Sequence, residues 1–196
     1  MDTVLDILQA AGIGAAIGIR PFLPALLVGA LAAGDLGLSF GGTGYAFLEK
    51  APFLLVMIVG LVILDLVRRR AGEATLDAGP GLYALGAVAV VVAALEGAGS
   101  LADRGHPVGA GVAVAVVCAV VALVAIRPLF ARVRSRLDAG AARLLPLYRE
   151  ALALVVAALS VLFPPLAIVV VGALIWLLAG GRRREGEKYA GLRILR

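Results

Sequence analysis

The residues best suited to chemistry are Gly18-Ile19-Arg20-Pro21-Phe22-Leu23-Pro24, where a guanidinium and two prolines interrupt an apolar stretch. A guanidinium is permanently charged and carries five donors, so it suits a phosphate or a carboxylate. In hydrocarbon it costs roughly 2.5–3.5 kcal/mol, and it must therefore face protein or a water-filled cavity. Pro21 and Pro24 have no N–H to return to the carbonyls of Ile17 and Arg20, so the helix kinks or breaks where the charge lies. Such a break also exposes a half-helix N-terminus, whose N–H groups and dipole favour an anion. Anion binding at a broken helix is the chemistry these residues permit.

Further residues could complete that site. Ile126-Arg127-Pro128 echoes Ile19-Arg20-Pro21, which reads as a duplicated, inverted unit with Arg127 as a second anion contact, or else as a plain basic helix end. Asp65 precedes Arg68-Arg69-Arg70 by one turn. It reads as an interfacial carboxylate paired to those arginines, or, with Glu96, as a counter-charge for Arg20. Phe163-Pro164-Pro165 breaks the last apolar run and frees carbonyls, those of Ser160 and Val161 among them, that protein must shelter. The candidate binding set is thus Arg20, Pro21, Pro24, Arg127, Asp65, Glu96, Ser160, Pro164 and Pro165. No nucleophile stands beside a base, so an enzyme is not expected. His106, the only histidine, reads as a solvated loop residue, and the single Cys118 as a packing residue. No metal or cofactor is expected, and the glycine-rich stretch 34–50 lacks the ending of a phosphate-cradling loop.

The elements that must hold these residues are membrane helices. The chain of 196 residues is 62% hydrophobic and 16% charged. Its apolar runs approach the roughly 20 residues needed to cross a bilayer. The expected fold is all-α: a polytopic transmembrane bundle forming one domain over 1–196, with proline-broken or re-entrant hairpins. Apolar segments fall at about 3–33, 51–67, 80–99, 107–126 and 151–179, and an amphipathic interfacial helix is expected at about 129–148. The net charge of +5 comes from arginine clusters beside these segments. That pattern points to topology and anionic lipid contact and away from nucleic acid.

Cytoplasmic placement of 68–70, 127–149 and the basic tail requires 151–179 to turn back at Pro164-Pro165. The C-terminus is then cytoplasmic. By analogy 3–33 is also read as a hairpin, retained and not cleaved as a signal. Gly14 and Gly18 offer a small-residue face for close helix contact, and a homo-oligomer is one arrangement such faces permit.

Three stretches together, Gly18 to Pro24, Phe163-Pro164-Pro165-Leu166-Ala167 and Lys188-Tyr189-Ala190-Gly191-Leu192-Arg193-Ile194-Leu195-Arg196, resemble a family of small bacterial integral membrane proteins known only as a domain of unknown function. The resemblance implies a bacterial plasma-membrane protein and no particular activity. A looser architectural likeness is to bacterial lipid-phosphate translocases that carry arginine on re-entrant hairpins. The working expectation is a carrier for an anionic or amphiphilic solute such as a lipid phosphate. A membrane scaffold and an oligomeric channel are the alternatives.

Overall fold

The computed structural model describes residues 2–72 and 79–190, the last ten as backbone alone. The helices are α1 (Asp2–Ile19), α2 (Phe22–Ala33), α3 (Ala51–Ala71), α4 (Gly79–Ala102), α5 (Val108–Arg134), a one-turn α6 (Ala139–Ala142), α7 (Leu145–Leu162) and α8 (Leu166–Ala190). A short 3-10 turn, Ala46–Glu49, interrupts the connection between α2 and α3. No strand occurs among the described residues. Four stretches, Ala51–Ala71, Gly79–Ala102, Val108–Arg134 and Gly140–Leu162, are long and apolar enough to cross a membrane. The polytopic all-α bundle is thus present.

The bundle is built around α1. Every residue from Gln9 to Pro21 is buried, as expected of a helix that is apolar on all sides. It is enclosed by α4, α5, α7 and α8. Glycine sets the closest approach: a Cβ on Gly14 or Gly18 would lie 2.2 Å from the carbonyl oxygen of Ala115 or Ala119 on α5. The Gly14/Gly18 face is therefore used within the chain. Gly97 and Gly111 bring α4 and α5 together in the same way.

Both proline-marked segments are hairpins. At the first, Arg20 N still reaches Ala16 O at 3.2 Å, but Pro21 has no N–H and the helix ends. The chain beyond α2 returns to the start of α1, where the Gln9 side chain donates to Gly37 O at 3.1 Å. At the second, a Cβ on Gly12 would meet both Ser160 Oγ and Ala167 Cβ. In a continuous helix those two residues would be about 10 Å apart along the axis, so the chain folds back at 163–165. The two apices lie at opposite ends of the bundle.

Other expectations are corrected. Helix α3 does not stop at 67 but continues through Arg68–Arg70, because arginine is a good helix former and Asp65 ties Arg68 and Arg69 along the same face. An interfacial helix over 129–148 is not formed. Its first part is the end of α5, Asp138 caps the separate turn α6 by accepting from Ala141 N at 2.7 Å, and Pro146 opens α7. The two Ile-Arg-Pro elements also differ: Pro21 divides α1 from α2, whereas Pro128 lies inside a continuous α5. They are not copies of one structural unit. The basic tail expected in the cytoplasm, Arg182 to Arg184, Lys188, Arg193 and Arg196, lies outside the described side chains.

Candidate functional site: an arginine-lined cavity at the first helix break

Arg20 is held at the apex of the first hairpin with 5% of its side chain exposed, and its Nε lies 3.3 Å from Glu150 Oε1 on α7. Beside Glu150, Arg149 is equally buried and places its guanidinium 5.7 Å from the centre of the Phe130 ring on α5, within cation–π range. Arg127 reaches the same place from α5. Together Arg20, Arg127 and Arg149 line one small, partly enclosed cavity of about 20 Å³, room for about one water, whose apolar walls include Leu85 and Ala89 of α4 and Leu123 of α5. Its described lining contains three guanidinium groups and no carboxylate. Glu150 offsets charge at Arg20, and the three guanidinium groups are donors of the kind that bind an anion with several acceptor oxygens through charge-assisted hydrogen bonds.

A groove of about 400 Å³ lies on the other side of Arg20. Leu23 of α2, Leu61 and Val62 of α3 and Leu147 of α7 give it apolar walls, while Arg20, Asp65, Arg68 and Glu150 make its charged end. It opens sideways because α3 packs on α2 and not on α7, and only 11% of the apolar window of α3 is buried. Arg20 therefore lies between a small basic cavity and an open, largely apolar groove.

The structure gathers part of the expected binding set and separates the rest. Arg20, Pro21 and Arg127 line the cavity. Pro24 is buried in the first turn of α2 and lines neither space. Asp65 does reach the groove, but its carboxylate is bound by Arg68 and by Arg69, the latter at 2.6 Å. Glu96 is not a counter-charge for Arg20: it is fully buried in α4, outside both linings, and neither carboxylate oxygen has a hydrogen-bond partner. Ser160, Pro164 and Pro165 belong to the other end, because α7 carries the chain about 16 Å from Arg149 to Ser160. There the Ser160 hydroxyl donates to Val156 O at 2.6 Å, and the sheltered carbonyl of Val161 accepts from Gln9 at 3.1 Å.

That far end has its own polar cluster. Asp6, 2% exposed, accepts from Arg104 at 2.9 Å on Oδ1, and His106 Nε2 lies 3.2 Å from its Oδ2, which accepts no hydrogen bond among the described residues. Arg104 also donates to Gly37 O at 3.1 Å. His106 is thus an interhelical contact and not simply a solvated loop residue. Sequence reasoning misses Arg149, which it places only at the end of the basic stretch 127–149, and Glu150, which it does not single out. A signal was present: Arg149 extends by one turn the buried face Ala153, Val156, Ala157 and Ser160, at helical spacing.

Fold and site together define a multi-pass helical membrane protein with an arginine-lined cavity at a helix break. Searches of protein-family models, of curated proteins and of solved structures find no match to this chain.

Proposed function

We propose that the protein is a membrane carrier for an anionic amphiphile, a lipid bearing a phosphate being the class that fits. One observation carries this reading: Arg20, Arg127 and Arg149 converge on a cavity whose neighbour is a lateral apolar groove sharing Arg20. The guanidinium groups take the phosphate when the cavity, which has room for about one water in this structure, widens towards the groove, and the groove takes the acyl chain. Translocating a charged headgroup requires such a protein-lined path, since an unshielded charge in hydrocarbon is costly. The arginine-rich end faces the cytoplasm by the positive-inside rule, and the membrane is taken to be the bacterial plasma membrane from the resemblance described above. A scaffold is the second reading, favoured by the contact of Arg20 with Glu150, which places a protein carboxylate where a ligand would otherwise lie.

The test is lipid movement in phosphatidylcholine vesicles containing the purified protein, with fluorescent phosphatidic acid or fluorescent phosphatidylcholine as probe. The carrier moves phosphatidic acid faster than phosphatidylcholine, and Arg149→Gln slows it about 10- to 100-fold, the value of one or two charge-assisted hydrogen bonds. No acceleration, or equal rates for both lipids, overturns the carrier and favours the scaffold.

A further inference from the structure

Beyond the end of the Arg20 cavity, the chain between α5 and α7 forms a second, separate apolar concavity. It is a groove of about 450 Å³ walled by Leu129, Phe130, Val133, Leu137, Ala141, Leu144 and Tyr148. Several of these are well exposed: Val133 and Leu137 are 38%, Leu144 50% and Tyr148 65% exposed. Against the same α5 wall lies a shallower depression made by Leu129, Arg132, Val133 and Arg136. Arg132 is held there by its own helix, its Nε donating to Pro128 O at 3.0 Å. The single acid in 127–149, Asp138, is engaged as the cap of α6, against six arginines in that stretch. An apolar groove at a membrane helix end, rimmed by Arg136 and by Arg132, the latter held by its own helix, matches a molecule with a hydrocarbon chain and a negative headgroup.

We propose that this groove is a binding site for one anionic phospholipid of the surrounding bilayer, its acyl chain along Leu129, Val133 and Leu144 and its phosphate on Arg132 and Arg136. The site is distinct from the carrier cavity. The ring of Phe130, which lines the groove, also carries the Arg149 contact, so it stands between the two.

Native mass spectrometry of the full chain, released from detergent after titration with phosphatidylglycerol or phosphatidylcholine, tests this. The expected result, read in Arg149→Gln so that the carrier cavity does not contribute, is one phosphatidylglycerol retained per chain, about tenfold more tightly than phosphatidylcholine, as one charge-assisted contact would give. Arg132→Gln with Arg136→Gln removes that preference. Ala141→Trp, which fills the groove without altering charge, expels the lipid; Arg149→Gln leaves it bound. Equal retention of the two lipids, unchanged retention in the arginine or tryptophan variants, or loss in Arg149→Gln, which would move the lipid to the carrier cavity, overturns the proposal. None of these outcomes depends on whether the protein transports anything.

Discussion

The two polar ends of the bundle are built from the same residue types and differ in how the charge is matched. At the end marked by Asp6, a buried carboxylate meets Arg104 and His106, while Gln9 and Arg104 both bind Gly37 O. Gln9 also takes Val161 O. Helix α1, the segment after α2, the turn before α5 and the apex of the second hairpin are therefore tied together by these contacts, although Asp6 Oδ2 and Gln9 Oε1 accept no hydrogen bond among the described residues. At the other end, three arginines face one cavity, with Glu150 beside Arg20. The difference teaches that buried charge alone does not mark a ligand site. A carboxylate held by cations of another segment fastens helices, whereas guanidinium groups of three helices lining one cavity offer several donors to an anion.

Substitutions can break this contrast, and the largest effect is expected at the apex of the first hairpin. Arg20→Met should reduce phosphatidic acid movement about 100-fold and also lower stability, since it removes the guanidinium from buried Glu150. Arg20→Met combined with Glu150→Leu should restore the unfolding midpoint and leave movement abolished. If the double variant regains movement, the arginine end is only a fastening like the other. Next in size, Gln9→Leu strips donors from two carbonyls and should destabilise by about 2–3 kcal/mol, read as a lower unfolding midpoint, with lipid movement retained in the folded fraction.

A ligand-side test sharpens the comparison further. Millimolar inorganic phosphate should raise the unfolding midpoint of the wild type, because binding to the folded state stabilises by mass action, and should not raise that of Arg149→Gln. An equal rise in both would move phosphate to a different cluster. The smallest effect is expected for His106→Gln, about 0.5 kcal/mol or less, because the imidazole is partly exposed and Arg104 already holds Asp6.

Much of the fold was legible because it follows from local properties. Apolar runs of spanning length, prolines at 21, 164 and 165, and Pro52 near the start of α3 act on the chain within a turn or two. Errors arose where neighbouring sequence left two outcomes open. Pro128 could have ended α5 as Pro21 ends α1, and the mixed stretch 129–148 has the spacing of one helix, yet the Asp138 cap and Pro146 divide it.

The sequence by itself determined that this is a helical membrane protein, that it breaks at Arg20-Pro21 and at Pro164-Pro165, and that Arg20 needs shelter. Hydropathy, the missing proline N–H and the cost of charge in hydrocarbon are sufficient for each of these. Only the tertiary structure decided that the carboxylate beside Arg20 is Glu150 and not Asp65 or Glu96, and that Arg149 joins Arg20 and Arg127 while Ser160 does not. Those pairings depend on the rotation and register of α1 against α5 and α7, set by contacts such as Gly14 and Gly18 on the α5 backbone, which link residues far apart in the chain.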